Sequence, residues 1–580
     1  MMHRFVYLIL PLPLLVACGD SEPSGTTTGS SMSTSTAATT GTGGEGGTQS
    51  TGGAGGGVAG SGGVGGAGGA GGQGGGSADV GYKNPVVRGD FPDPSVLRVG
   101  NEYWATATSS EWGPVYPLLH STDLVNWTQV GSIFSDRPAW AVSNFWAPEI
   151  QEDNGKYFIY YTARKAGESL CVAVATADAP GGPYTDHGPL VCQQVGSIDG
   201  FSIRDENGKR YLVWKEDANS VGMVTPIWAQ ELTDDGKTLL GQPVFLFQND
   251  PSWEANLVEG PYILVHNNTF YAFYSAAACC GKSCSYALGV ARSKTLLGPW
   301  EKNPNNPILV GNEAWKCPGH GSIVTADGGK YYLLYHAYSG QDTVYVGRQG
   351  VLDEVVFGAD GWPTINDGKG PSVSAPAPIA PQAPQPTEIF DDFSAADLAP
   401  GWQWPVANKP MASIDTTNGG RLVLPAAPEG PGVHAGATIA RSTLLGDYVA
   451  TTEVSAPANV RAGLAAVGDG DNALGVSVLG DKVMVWRLGN GTSQPIAEAA
   501  APIKAQLRMT AAKGHVYSFA VSGDDGKTWE PVGSYVDSQA VDPDLPPWDR
   551  GVRVGLLASG PVGTSAKFEF LRVTLGAPQP

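Results

Sequence analysis

DGFSIRDENGKRYLVWK (residues 199–215) and HGSIVTADGGKYYLLYHA (residues 320–337) follow one plan. An ionisable residue heads a short apolar strand, a Gly/Asn turn follows, and an aromatic-rich strand returns. DPSVLRVGNEYWATATS from Asp93, EIQEDNGKYFIYYTA from Glu149 and EGPYILVHNNTFYAFYSA from Glu259 repeat it. The five starts recur about every 50–60 residues, the period of a β-propeller blade. Three units run on into an alternating strand and a loop ending in Trp127, Tyr184 or Trp300. Short apolar segments follow these aromatics (TQVGSIF, GPLVCQQ, PILV), so the unit reads as four strands. Five such units span 81–372. Trp127 and Trp300 read as core residues between blades.

A polar residue at the head of each innermost strand faces the propeller axis. Asp93, Glu149, Asp199, Glu259 and His320 are therefore expected to converge on one central cavity. Taken singly, Asp93 before Pro, Glu259-Gly-Pro and Asp199-Gly each read as turn residues. Recurrence at one register favours a site. Like charges at close range raise at least one carboxyl pKa. Asp93, Asp199 and Glu259 together would thus supply one carboxylate base and one carboxylic acid at the same pH. Cleavage of a glycosidic bond needs that pair, an acid for the leaving oxygen and a base for water on the opposite face.

From Glu388 onward the texture changes to strands separated by Gly/Asp/Asn turns, among them YVATTEVSA, KVMVWRLG and FEFLRVTL. With no helical periodicity, residues 388–580 read as an antiparallel β-sandwich. The fold class is all-β throughout. Trp402, Trp404, Trp529 and Trp548 read equally as core or as sugar-stacking platforms. Residues 373–387, rich in Pro and Ala, read as an extended spacer.

The chain has 580 residues and a formal charge of −20, which disfavours nucleic acid as a partner. Arg4 and the apolar run to Ala17 read as an export signal over residues 1–17. Leu15-Val16-Ala17-Cys18 matches a bacterial lipobox, which would make Cys18 a lipidated first residue and the membrane an anchor only. Residues 18–80, nearly all Gly, Ser, Thr and Ala, read as a flexible tether reaching about 45 Å. Six further cysteines suit disulfides in an exported protein. Cys171 and Cys192 are placed to close a hairpin. The connectivity of Cys279, Cys280, Cys284 and Cys317 is open, and a metal–thiolate site is the competing reading.

The segments NPVVRGDFPDPSVLRVGNEYW, FWAPEI, SIDGFSIRDENGKRYLVW, VEGPYI, PGHGSIV and GRQGVLDEVVFGADGWP together resemble glycoside hydrolase family 43. The resemblance covers the whole propeller in order. It implies an inverting arabinofuranosidase or β-xylosidase acting on oligo- or polysaccharide. On matching positions it makes Asp93 the general base, Glu259 the general acid and Asp199 the residue tuning that acid. It places Trp146, Glu149, Arg348 and Trp112 at the substrate. His320 matches a histidine that in several members helps hold an axial calcium ion through water; no cofactor is otherwise required. The family usually has Pro after the third-blade Asp, where this chain has Gly200. More weakly, the C-terminal sandwich resembles the concanavalin-like domain appended to many β-xylosidases of this family. A monomer is expected. A galactan-directed exo-hydrolase, a non-catalytic carbohydrate-binding propeller and a protein-interaction propeller are the rival readings.

Overall fold

Five antiparallel sheets of four strands each follow one another along the chain. Their first strands are Ser95–Val99, Ala141–Asp153, Ser197–Arg204, Val258–His266 and Trp315–Thr325. Each first strand touches that of the next blade, and blade five touches blade one, so the ring closes. The computed structural model describes residues 81–380, 385–532 and 551–576. The export signal, Cys18, the tether, Trp548 and the chain's last four residues lie outside the described residues.

Five apolar cores separate the blades, one for each neighbouring pair. Between blades three and four, for example, Phe201, Val213 and Ala229 meet Ile263, Phe270 and Ala272. Alternation along a strand sends successive side chains to opposite faces. A blade packed on both sides therefore buries every position and is mostly apolar, as Thr269–Ala276 shows (TFYAFYSA, buried throughout). Trp127 and Trp300 lie half-buried against the five–one and three–four cores.

The ring is fastened at its ends. Gly81–Lys83 pairs antiparallel with Ser374–Pro376, so the expected spacer begins as a strand of the propeller. Asn84 donates to Leu352 O and to Ser372 O and Oγ. PILV is not a strand: blade four ends with Glu301–Lys302, and Leu309 makes only an isolated bridge to Leu288.

The C-terminal half is a sandwich of two eight-stranded sheets around a large apolar core. Six strands of the second sheet run in the order Lys482–Gly489, Asn472–Leu479, Arg461–Asp469, Arg553–Ser559, Ala437–Ser442, Trp402–Pro405. Its edge is completed by Trp112–Gly113, two residues from a loop of blade one, which pair with Trp404 and Pro405. This sheet is apolar on both faces. Leu464, Ala466 and Leu474 enter the sandwich core, while Ala465, Val467, Ala473 and Trp486 face Trp112. Asp90 adds a charged tie to Arg553 at 3.0 Å and accepts from Gly551 N at 3.2 Å. Trp402 is a core residue; Trp404 and Trp529 are half-buried.

Disulfides join Cys171–Cys192, Cys279–Cys280 and Cys284–Cys317. The first joins the third strand of blade two to the residue just past its fourth, and the third ties the loop before Tyr286 to the inner strand of blade five.

Candidate active site

At one level of the ring every innermost strand enters the left-handed region, at Asp93, Ala147, Asp199, Gly260 and His320 (φ 52°, 40°, 57°, 57° and 38°). In blades two to five the pairing slips there by a bulge, which re-aims the side chains. Asp93, Asp199 and His320 are thus true equivalents. Glu259 stands one residue ahead of its blade's equivalent, Gly260. Only glycine fits there: a Cβ would lie 2.8–2.9 Å from the His320 ring.

Glu149 departs from expectation. The equivalent of Asp93 in blade two is Ala147, and Glu149 falls two residues further along, level with Ser95, Tyr262 and Ser322. It lines a separate cavity of about 350 Å³ with Tyr262, Phe201 and Val324. Burial pushes its carboxyl up to about 8, against a hydrogen bond from Ser95. It does not join the axial carboxylates, so its expected contact with substrate there is corrected. Trp112 is corrected too: it is 1% exposed in the core shared with the sandwich, which leaves no ring face for a sugar.

The remaining residues do assemble. Asp93 Oδ1 lies 3.1 Å from Arg348 Nη1, 3.2 Å from His336 Nδ1 and 3.4 Å from His320 Nδ1. Its Oδ2 accepts from Thr108 Oγ1 at 2.7 Å. Burial pushes the Asp93 carboxyl up, but Arg348, with His320 beside it, outweighs burial and holds the group well below the carboxylate range. Arg348 is 5% exposed, a counter-charge within the site and not a surface residue.

Glu259 accepts on both oxygens, from Lys215 Nζ at 2.9 Å and from Tyr286 OH at 2.8 Å. Burial pushes it up; the Lys215 ammonium, with His320 and Tyr286, outweighs burial and holds it below its ordinary value. Asp199 moves the opposite way, raised by burial and by the Glu259 charge against His320 and Lys215. Its Oδ2 accepts from Gly260 N at 2.8 Å, so it grips the backbone beside Glu259. Gly200 has a local reason: a Cβ there would fall 2.3 Å from Val172 Cγ1.

Trp146 is half-buried and pairs across the strand with Thr162, whose Oγ1 accepts from Asp199 N. The next residue, Ala147, donates to Thr108 Oγ1, one hydrogen bond from Asp93. The Trp146 backbone thus lies between the supports of Asp93 and Asp199.

Lys215, Tyr286, His336 and Thr108 were not singled out from the sequence. Lys215 and His336 carry a signal in hindsight: each is a polar residue near the end of a buried aromatic strand, YLVWK and YYLLYH. His336 is fully buried, and burial lowers it to about 4.

The calcium ion that the resemblance implies beside His320 would be held through water. Among the described residues no group of three or more His, Cys, Asp or Glu is arranged to hold a metal. His320 offers nitrogen where calcium prefers oxygen. No step below runs through a metal.

A five-bladed propeller with three carboxylates gathered on its axis and a β-sandwich on its flank is the build of the propeller glycoside hydrolases. Residues 82–363 match Glycosyl hydrolases family 43, and residues 390–574 match the Beta xylosidase C-terminal Concanavalin A-like domain. The propeller domain belongs to glycosyl hydrolases family 43. It is similar to "Beta-xylosidase" of Bacillus subtilis (strain 168), 29% identical over 335 residues, 52% of this chain and 59% of that protein. It is also similar to "Extracellular exo-alpha-(1->5)-L-arabinofuranosidase ArbA" of Cellvibrio japonicus, 28% identical over 316 residues, 48% of this chain and 87% of that protein. The solved GH43 BlXynB protein from Bacillus licheniformis superposes with a TM-score of 0.75 at 26% identity, over 85% of this chain and 99% of that one. The chain spans about three-fifths of the length of the first curated relatives it matches, 59%, 57% and 62%.

Proposed function

We propose that the protein is an inverting glycoside hydrolase that removes arabinofuranosyl or xylosyl residues from plant cell-wall polysaccharides or their fragments. The observation that carries this reading is the opposed environment of the axial carboxylates. Asp93 sits among cationic and imidazole groups that favour its anion, while burial and the charge of Glu259 favour a proton on Asp199. In the proposed reaction Asp93 takes a proton from water as the water oxygen bonds to the anomeric carbon. Glu259 passes its proton to the departing glycosidic oxygen as that bond breaks. Asp199 positions the Glu259 loop and shares the acid's proton equilibrium. Trp146 supplies an apolar face to the sugar. The relatives named as β-xylosidase and arabinofuranosidase support the two sugars proposed.

The test is a panel of aryl arabinofuranoside, xyloside and galactoside substrates, with NMR following the anomer first released. Arabinofuranoside or xyloside cleavage with inverted configuration is expected. Retention overturns the mechanism, galactoside preference overturns the substrate, and inactivity across the panel overturns the enzyme reading.

We further propose that Cys18 carries lipid and anchors the protein outside the cytoplasm. Two relatives are named as extracellular, and among the described residues no helix is long and apolar enough to cross a membrane. Cys18→Ser is expected to release the protein from the membrane fraction; continued sedimentation with membranes rejects the anchor.

A further inference from the structure

A relay of hydrogen bonds runs round the axis, and it breaks at one blade. Two residues beyond the partner of the third inner-strand position, the second strands carry Thr108, Thr162, Lys215, Ser275 and His336. Four of these accept the backbone N–H at the left-handed residue of the next blade. Ala147 N donates to Thr108 Oγ1 at 2.7 Å and Asp199 N to Thr162 Oγ1 at 3.1 Å. His320 N donates to Ser275 Oγ at 2.7 Å and Asp93 N to His336 Nδ1 at 3.0 Å. The fifth place holds Lys215, and an ammonium has no lone pair with which to accept. The corresponding N–H, that of Gly260, turns to Asp199 Oδ2 instead.

Lys215 is released from the relay and spends its hydrogen bonds elsewhere. Its side chain is 1% exposed, and Nζ lies 2.9 Å from Glu259 Oε2 and 3.1 Å from Asp217 Oδ1. A buried ammonium requires charged partners, because an unpaired one is strongly disfavoured. Two are present where one would neutralise it.

We propose that Lys215, shared between Glu259 and Asp217, is a positioning residue that sets when Glu259 holds the proton it delivers to the leaving group. The proposal rests on the glycosidase reading above and concerns the acid side of that site. With Lys215 on Oε2 and Tyr286 on Oε1, Glu259 is held as an acceptor. To act as an acid it must carry hydrogen on one oxygen, and Asp217 is then the only anion hydrogen-bonded to Lys215 among the described residues. The groups facing Glu259 are Lys215 and Asp217 at the end of blade three's second strand and Asp199 from its inner strand. Tyr286 precedes blade four's third strand, and His320 comes from blade five. Asp93 and His336 lie beyond Tyr286. Lys215 is the cation hydrogen-bonded to Glu259; Asp217 is the anion that competes for that cation.

The test is the alkaline limb of the pH profile of kcat/KM, which reports the protonated acid and belongs to the Asp199–Glu259 pair as a unit. Removing the cation favours protonated Glu259, so Lys215→Met is expected to move the limb to higher pH by about 1–3 units. Removing the competing anion strengthens the hold of Lys215 on Glu259, so Asp217→Asn is expected to move it to lower pH. Lys215→Arg keeps the charge and should leave the limb near its wild-type position. Rates that fall with the limb unmoved in both Lys215→Met and Asp217→Asn overturn the proposal. If Lys215→Met does not fold, Asp217→Asn decides alone: an unmoved or upward-shifted limb overturns it. An inactive wild-type protein would instead defeat the glycosidase reading, so the two failures are distinct.

Discussion

Replacing Asp93 by Asn should lower kcat/KM by about 10²–10⁴-fold on every substrate the enzyme accepts, the loss expected for a missing general base. The carboxamide keeps the shape of the side chain and removes its capacity to take a proton. Its neighbours make the site sensitive to that change. Arg348 and His320 both approach Oδ1 within 3.4 Å, an arrangement suited to an anion. Thr108 fixes the other oxygen. Steady-state rates on arabinofuranosides and xylosides, with a thermal melt to show retained folding, form the measurement. A folded variant with near-normal turnover ends the assignment. The loss should be equal for good and poor leaving groups, because a base acts on water and not on the departing oxygen.

Glu259→Gln should behave differently. On a natural disaccharide, whose leaving alcohol needs a proton, the expected loss is about 10²–10⁴-fold. On a dinitrophenyl glycoside, whose phenolate departs unaided, most of that loss should vanish. The contrast between leaving groups identifies the acid independently of the absolute rate. An equal loss on both substrates would remove Glu259 from that role. Gln keeps an oxygen for Lys215 or Tyr286, and Lys215 retains Asp217, so the substitution leaves no buried charge unpaired.

The blade count, the strand order and the gathering of Asp93, Asp199 and Glu259 were legible because the repeats advertise themselves. Each begins with an ionisable residue and ends in a buried aromatic strand. What the pattern concealed was one or two residues of slippage. Pro94, Pro148 and Pro261 follow Asp93, Ala147 and Gly260, so the true register marker is the left-handed residue and not the carboxylate. Reading from the acids placed Glu149 on the axis with the others, when it sits one level away. The supporting ring of Thr108, Thr162, Ser275 and His336 escaped for another reason. Hydroxyls and a neutral imidazole on buried strands look like ordinary β residues until the neighbouring blade supplies the N–H they accept. Trp112, placed at the substrate by the resemblance, is a core residue instead. Its partner surface lies more than 300 residues away in sequence, at Ala435, Val467 and Trp486.

RAGLAAVGD, residues 461–469, bears on how such chains can be recombined. Eight of its nine positions are buried, because one face belongs to the sandwich and the other to the blade-one loop. A half-exposed antiparallel strand would alternate with polar residues. The C-terminal half is therefore not a portable cassette. Grafted onto a foreign catalytic domain, it would present an oily flank and an edge lacking its last strand, a surface prone to self-association. A transplant that stays soluble would have to carry the three residues from Glu111 to Gly113 along with it, or replace the apolar outer face with charge.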